Sequence, residues 1–272
     1  MWWFQEGLCA LPAFLVVCST ATFMLPYVIA VMLSHVDPWL PYISDSGTQP
    51  PERCLFGIML NISSFLGMAT MYVRYKQVQV LMMREKHRVH CLNALGLALG
   101  FGSCLGMCVV ANFQKSTLLF MHLLGAAMTF GLGMLYVLVE SAVSYHMQPH
   151  VHSKRVFLVR LAMGLWSLAS IIIMIVSSAI SYSSLPAVDV ILKSHWVPGM
   201  PAYTAHLVST IAEWSVAFSF VTFFLTYIRD FQKITLRAEA ELRSNHLYDS
   251  TRYNESSRLH HREESPLLAG NI

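Results

Sequence analysis

The chain has little charge for its length. Only 12% of its 272 residues are Asp, Glu, Lys or Arg, whereas a soluble domain carries about 25%. Hydrophobic residues make up 55%, and the mean hydropathy is +0.52. So few charges cannot cover a normal water-facing surface, which excludes a soluble enzyme and indicates a polytopic membrane protein. The net charge of +3 is too small to indicate a nucleic-acid partner.

No non-cytosolic loop of the chain contains a pair of cysteines that could form a disulfide. The six cysteines lie in or beside apolar runs, and none of them form the CxxC spacing typical of zinc sites. This excludes a disulfide-stapled extracellular scaffold. We therefore predict no metal site and no bound cofactor.

Six apolar stretches are long enough to cross a bilayer, which takes about 20 residues. The first lacks a basic leading region and a small-residue cleavage site, so we interpret it as a retained span. The stretches lie near 8–33, 54–73, 92–112, 118–140, 157–180 and 204–228. We predict an all-α fold in which residues 1–228 form one bundle of six transmembrane helices.

The distribution of Lys and Arg predicts the orientation. The loops after spans two and four, together with the tail, carry 15 of these residues, and the other side carries 3. By the positive-inside rule, both termini are predicted to be cytosolic. In this topology Arg74 and Arg160 count as cytosolic charges, Glu140 lies at the cytosolic interface without a special role, and His152 is one of several solvated loop histidines.

The first non-cytosolic loop, near 34–53, has a distinctive composition. Four prolines stiffen it, and its Ser-Asp-Ser-Gly segment is typical of a turn. We interpret the loop as a rigid lid over the helix ends, although Asp37, Asp45 and Glu52 could instead bind a cation or a partner. The residues that define the motif are Pro41, Tyr42, Ser44, Asp45 and Gly47.

Polar residues inside the spans form a second candidate site. Glu213 lies about 14 Å from the non-cytosolic end of span six, at 1.5 Å per residue. Asn61, Asn112, His122 and His206 fall in the same half of the membrane. An ionisable residue at this depth is a functional candidate, for example at a proton-linked or lipid-linked site. The alternative is a structural hydrogen bond between helices, for instance from Glu213 to Asn61 or His122.

Span three carries two GxxxG patterns, at Gly96–Gly100 and at Gly102–Gly106. This spacing lets helix backbones approach closely. We favour packing within the bundle over dimerisation.

The segment after span six is predicted to leave the membrane. Apolar residues recur every three or four positions over 229–243, with basic residues between them, which indicates an amphipathic cytosolic helix. Residues 244–272 lose this periodicity and are predicted to be disordered. Glu263, Leu267 and Leu268 fit an acidic dileucine signal, which clathrin adaptor complexes read for lysosomal sorting.

Several blocks of the sequence resemble the damage-regulated autophagy modulator (DRAM) family. They occur in order at 41–48, 72–76, 110–115, 213–215 and 227–233. The resemblance implies a six-span lysosomal membrane protein that promotes autophagy and passes through the plasma or apical membrane in transit. It implies membrane lipids and the autophagy machinery as partners, and no catalytic residues. The alternative function is a transporter, channel or lipid-handling protein with Glu213 at its working site.

Overall fold

A computed structural model describes residues 8–82, 87–149, 151–184, 195–232 and 234. Regular structure in these ranges is helical, and six helices are long and apolar enough to cross a membrane. They are α1 (Ala10–Met32), α2 (Glu52–Leu81), α3 (His87–Asn112), α4 (Leu119–His146), α5 (Lys154–Ser183) and α6 (Tyr203–Phe231). The predicted all-α fold with six membrane-spanning helices is confirmed.

Several helices extend beyond the apolar stretches that predict them. Helix α2 runs over Glu52–Leu81 and α5 over Lys154–Ser183, whereas the apolar stretches cover 54–73 and 157–180. The additional turns carry polar residues such as Arg74 and Gln77, which find hydrogen-bond partners inside the bundle. Apolar length therefore underestimates helix length where neighbouring helices satisfy polar side chains.

The helices pack largely in chain order. Each helix contacts the next, from α1 with α2 through to α5 with α6, and α1 also contacts α6. The six helices therefore form a closed ring of neighbours. The bundle brings the first and last helices together, so that residues from both can contribute to one site.

Glycines let α3 approach α4. A Cβ atom on Gly106 would lie 2.7 Å from the backbone oxygen of Gly125, so any larger residue would push the two helices apart. A Cβ on Gly102 would lie equally close to the Leu132 side chain. These contacts confirm that the GxxxG patterns serve packing within the chain.

Helix α4 is interrupted by a π-helical turn. Its α-helical parts, Leu119–Ala127 and Gly133–His146, flank the π turn at Met128–Leu132. Such turns often occur at functional sites, because the extra residue redirects the side chains that follow.

The bundle has two ends, which we name the terminal face and the loop face. The terminal face carries residues 8–9, 147–149, 151–153 and 231–232, and the Leu8 N–H donates to the Phe231 carbonyl across 3.1 Å. The loop face carries residues 33–51, 113–118 and 195–202. Which face is cytosolic stays a prediction.

The predicted tail features lie almost entirely outside the described residues. Residues 229–231 continue α6, and 232 and 234 are described beyond it. The rest of the predicted amphipathic helix 229–243, the predicted disordered tail 244–272, and the sorting residues Glu263, Leu267 and Leu268 are outside the described part of the chain.

Candidate functional site

The first loop enters the bundle and binds α6. The backbone N–H of Ile43 donates to Oε2 of Glu213 across 2.8 Å, and the Trp214 indole N–H donates to the Pro41 carbonyl across 2.9 Å. The suggested structural partners of Glu213, Asn61 and His122, are therefore wrong. Instead, the Glu213 carboxylate accepts a hydrogen bond from the backbone of the loop. Backbone polar groups that are shielded from water need a hydrogen-bond partner within the protein.

Tyr42 connects the same loop to α5 and α6. Its hydroxyl donates to Ser209 Oγ across 2.8 Å and lies 3.2 Å from Ser178 Oγ, and the two serine hydroxyls are 2.6 Å apart. Burial raises the pKa of Tyr42 to about 12. The phenol thus stays protonated as part of a three-hydroxyl cluster.

Asp45 is the charged residue of the loop motif, and it is buried. It forms an ion pair with Lys115, whose ammonium also lies 5.5 Å from the centroid of the Tyr42 ring. Gly47 ends the short 3₁₀ turn that begins at Asp45. A Cβ on Gly47 would lie 2.6 Å from the Phe56 ring, so glycine is required for the loop to pack this closely.

The other two carboxylates of the predicted loop also have histidine partners within the chain. Asp37 lies 2.9 Å from His195 Nδ1 and accepts from the Trp196 backbone N–H. Glu52 pairs with His35. In the described ranges no three His, Cys, Asp or Glu side chains lie close enough to hold a metal ion. These carboxylates join different segments of the loop face through contacts within the chain.

The predicted intramembrane polar residues separate into different contacts. Asn112 Nδ2 donates to Asn61 Oδ1 across 3.3 Å, which forms a pair between α2 and α3. His122 Nδ1 lies 2.8 Å from the Phe113 carbonyl. His206 stacks on Trp196 with ring centroids 4.1 Å apart. His206 also packs edge-on against the Tyr42 ring, with centroids 5.2 Å apart, so Glu213 and His206 both contact the centre of the first loop.

Glu213 lies between two hollow regions of the molecule. One is an internal cavity of about 120 Å³ within the bundle, and the other is a groove of about 430 Å³ bounded by α4 and α5. The residues that line both are Ser44, His122, Ala126, Phe130 and Glu213. The carboxylate is 8% exposed, so it is buried from bulk solvent while it borders both spaces.

A buried ion network lies toward the terminal face, where sequence reasoning predicted none. Arg74 Nε donates to Glu140 Oε2 across 3.2 Å, and Arg160 donates to Asp230 Oδ2 across 2.6 Å. Both guanidinium groups also lie over the ring of Tyr227, at 5.3 and 4.9 Å from its centroid. The network joins α2, α4, α5 and α6.

Three sequence-based assignments are therefore wrong. Glu140 is 2% exposed and ion-paired, so the assignment that gave it no special role is wrong. Arg74 and Arg160 are fully buried in helices rather than solvated loop charges. His152 is 4% exposed and lies 3.2 Å from Asp230. Side chains of opposite charge at similar heights in neighbouring spans are the sequence pattern that could have predicted this network.

These features define a class: a multi-pass α-helical membrane protein whose first loop is inserted into its bundle and whose helices are joined by a buried ion network. The family described as the Frag1/DRAM/Sfk1/Cwh43P N-terminal domain matches residues 7–234. The chain belongs to this family, and the resemblance to DRAM proteins is confirmed.

Relatives within the family align over most of the chain. DNA damage-regulated autophagy modulator protein 2 of Mus musculus is 56% identical over 250 residues, which cover 92% of this chain and 93% of the relative. Protein 1 of Homo sapiens is 42% identical over 239 residues, 88% of this chain and 97% of the relative. The modulator of macroautophagy TMEM150B of Danio rerio is 33% identical over 65% of this chain and 75% of the relative. No solved structure matches the chain.

Proposed function

We propose that the chain is a non-enzymatic membrane protein that regulates autophagy from the lysosome. The observation that carries the proposal is its similarity, over 92% of its length, to a protein named as an autophagy modulator. The arrangement of polar groups supports a non-enzymatic role. The polar side chains in question are held by partners within the chain. Tyr42 donates a hydrogen bond to Ser209, and ion pairs join Asp45 to Lys115 and Arg74 to Glu140.

Residence in the lysosomal membrane, with the terminal face toward the cytosol, completes the proposal. The charge distribution of 15 to 3 supports the orientation. The dileucine residues Leu267 and Leu268 then belong to a cytosolic tail, which clathrin adaptors could bind. Membrane lipids and components of the autophagy machinery are the other proposed partners.

Autophagic flux in cells that lack the protein tests this function. We expect turnover of a lipidated autophagosome marker, measured with and without a lysosomal inhibitor, to fall when the gene is removed and to recover when the chain is re-expressed. A chain that reaches lysosomes at normal abundance but leaves flux unchanged would contradict the proposal.

Transport or lipid handling is the second candidate, because one observation favours it specifically. Glu213 borders both the internal cavity and the α4–α5 groove, where a titrating carboxylate could act on a bound molecule. Replacing Glu213 by Gln separates this candidate from a purely regulatory role, because Gln keeps a hydrogen-bond acceptor but cannot titrate.

A further inference from the structure

The groove beside Glu213 is formed because two neighbouring helices separate toward the loop face. Helix α5 packs against the Gly133–His146 part of α4. Nearer the loop face, the groove of about 430 Å³ runs between residues 119–131 of α4 and residues 171–182 of α5. Its volume falls within the roughly 300–1,000 Å³ typical of small-molecule sites.

The walls of the groove are apolar and continue onto the outer surface of the bundle. Leu123 on α4 and Ile175 on α5 are 50% and 60% exposed. Exposed aliphatic side chains on membrane-spanning helices face lipid tails rather than water. The groove is therefore open to the bilayer, and a molecule dissolved in the membrane can enter it sideways.

The inner wall offers a hydrogen-bond acceptor. Glu213 lines the groove, and its Oε2 atom accepts from Ile43. Across the described ranges, this N–H is the only group that donates to the carboxylate. Oε1 therefore has no donor in these ranges and is available to a ligand that brings a hydroxyl group.

The charges around the groove disfavour an anionic headgroup. Lys115, which lines the groove, is already paired with Asp45. Among the described residues around the groove, an anionic group would meet the carboxylates Glu213 and Asp45, and no unpaired Lys or Arg to offset its desolvation. The site suits an uncharged lipid with a hydroxyl donor.

The shape of the groove favours a rigid ligand. On the α4 side, Ala126, Ala127 and Gly131 present a wall of small residues, and Gly131 belongs to the π-helical turn. A Cβ on Gly131 would meet nothing within 4 Å, so the space beside it is open. A flat ring system fills such a space with little loss of conformational entropy, whereas flexible acyl chains lose more.

We propose that the groove between α4 and α5 binds one sterol molecule, with the sterol hydroxyl donating to Glu213. The rings would lie along Ala126, Ala127 and Gly131, against the branched side chains of Ile171 and Ile175. This site is distinct from the ion network, and it does not depend on the proposed role in autophagy.

Photolabelling of the purified full-length chain tests the proposal. A sterol that carries a diazirine and an alkyne is irradiated with the protein in detergent micelles, and labelled peptides are identified by mass spectrometry. We expect the label on peptides from 119–131 and 171–182. Unlabelled sterol should compete, while diacylglycerol and phosphatidylserine at equal concentration should not.

Two variants locate the site. Gly131→Leu puts a side chain into the open space without a clash and should lower labelling about tenfold, equivalent to ~1.4 kcal/mol. Ala98→Leu makes a similar change on an exposed position of α3 and should label like the wild type. Glu213→Gln keeps a carbonyl acceptor and should retain binding, whereas Glu213→Leu should weaken it.

Other outcomes would overturn the sterol site. One is a Gly131→Leu protein that elutes and melts like the wild type and yet labels equally well. Another is label spread evenly over all six helices. Competition by diacylglycerol as strong as that by sterol would show that the groove takes a flexible lipid instead, and strong competition by phosphatidylserine would contradict the charge argument.

Discussion

Arg74 Nε donates a hydrogen bond to Glu140 Oε2 across 3.2 Å, between two side chains that are both buried within the bundle. The pair joins α2 to α4. The same guanidinium group reaches Asp230 on α6 across 3.4 Å and lies over the Tyr227 ring. One arginine therefore holds three helices together near the terminal face.

Removing this arginine should destabilise the bundle strongly. Arg74→Met keeps much of the side-chain volume but leaves Glu140 as an uncompensated buried charge, a change that typically costs about 3–5 kcal/mol. We expect a lower melting temperature in detergent and a smaller monodisperse fraction. Arg88→Met, at an exposed position of α3, is the matched control and should melt like the wild type. Equal melting of both variants would show that the pair adds nothing to stability.

The six spans could be predicted from the sequence because each is a long apolar run, and a membrane leaves few alternatives to a helix for such a run. The position of Glu213 along the last span could also be predicted, because a helix rises by a fixed 1.5 Å per residue. The hydrogen-bond partner of Glu213, in contrast, could not be predicted. Ile43 contributes a backbone N–H, which every residue except proline has, so no sequence pattern marks it.

The ion network escaped prediction for a different reason. Counting Lys and Arg assigns those near the ends of spans to one side of the membrane, and it does not indicate that Arg74 and Arg160 are buried. Whether an arginine at that position is solvated depends on which carboxylates the neighbouring helices bring to it. That information comes from helix packing and not from distance along the chain.

Alkaline pH should loosen the loop face through Tyr42. The unfolded phenol has a pKa near 10, whereas burial raises the native value to about 12. The native state therefore holds a proton that the unfolded state has lost. This contribution to stability is full below pH 10 and disappears as the pH rises through 12.

Melting curves from pH 8 to pH 12 measure this effect. Tyr42→Phe should be less stable at pH 8, because its hydrogen bond to Ser209 is missing, but should lose less stability between pH 10 and 12. Tyr145→Phe, at an exposed position, should follow the wild-type curve. Parallel curves for wild type and Tyr42→Phe would rule out Tyr42 as the titrating group.

The membrane orientation predicted from the charge distribution can be tested with a tag. The described chain begins and ends at the terminal face, where the Leu8 N–H meets the Phe231 carbonyl. If this face is cytosolic, a tag placed after residue 272 should be digested when protease is added to intact organelles. A tag that survives until detergent is added would reverse the orientation.

Sorting should depend on the dileucine signal in the tail. Replacing Leu267 and Leu268 by Ala removes the two side chains that would fill the apolar pocket of an adaptor. We expect steady-state protein to shift from lysosomes toward the plasma membrane, measured by surface biotinylation. Replacing Leu259 by Ala is a tail control outside the motif. Unchanged lysosomal enrichment of the double variant would show that another determinant dominates.

Glu213→Gln distinguishes a structural carboxyl from a titrating one. The Gln side chain has nearly the same shape, and its carbonyl oxygen can accept from the Ile43 N–H as Oε2 does. If Glu213 only anchors the first loop, the variant should keep normal expression, lysosomal residence and autophagic flux. Glu213→Leu would lose the acceptor, and because hydrogen bonds in membrane proteins average about 0.6 kcal/mol, we expect a small loss of thermal stability.

A different result would favour transport. Gln cannot change its charge, so a carboxyl that gains and loses a proton during a transport cycle cannot be replaced by it. The decisive comparison is autophagic flux between variants at matched abundance. Asn61→Ala is the control, because Asn61 lies in the separate pair with Asn112 and Ala, unlike Asp, adds no charge. We expect both Glu213→Gln and Asn61→Ala to be active. A Glu213→Gln protein that is abundant, correctly located and inactive, beside an active Asn61→Ala protein, would show that the carboxyl must titrate.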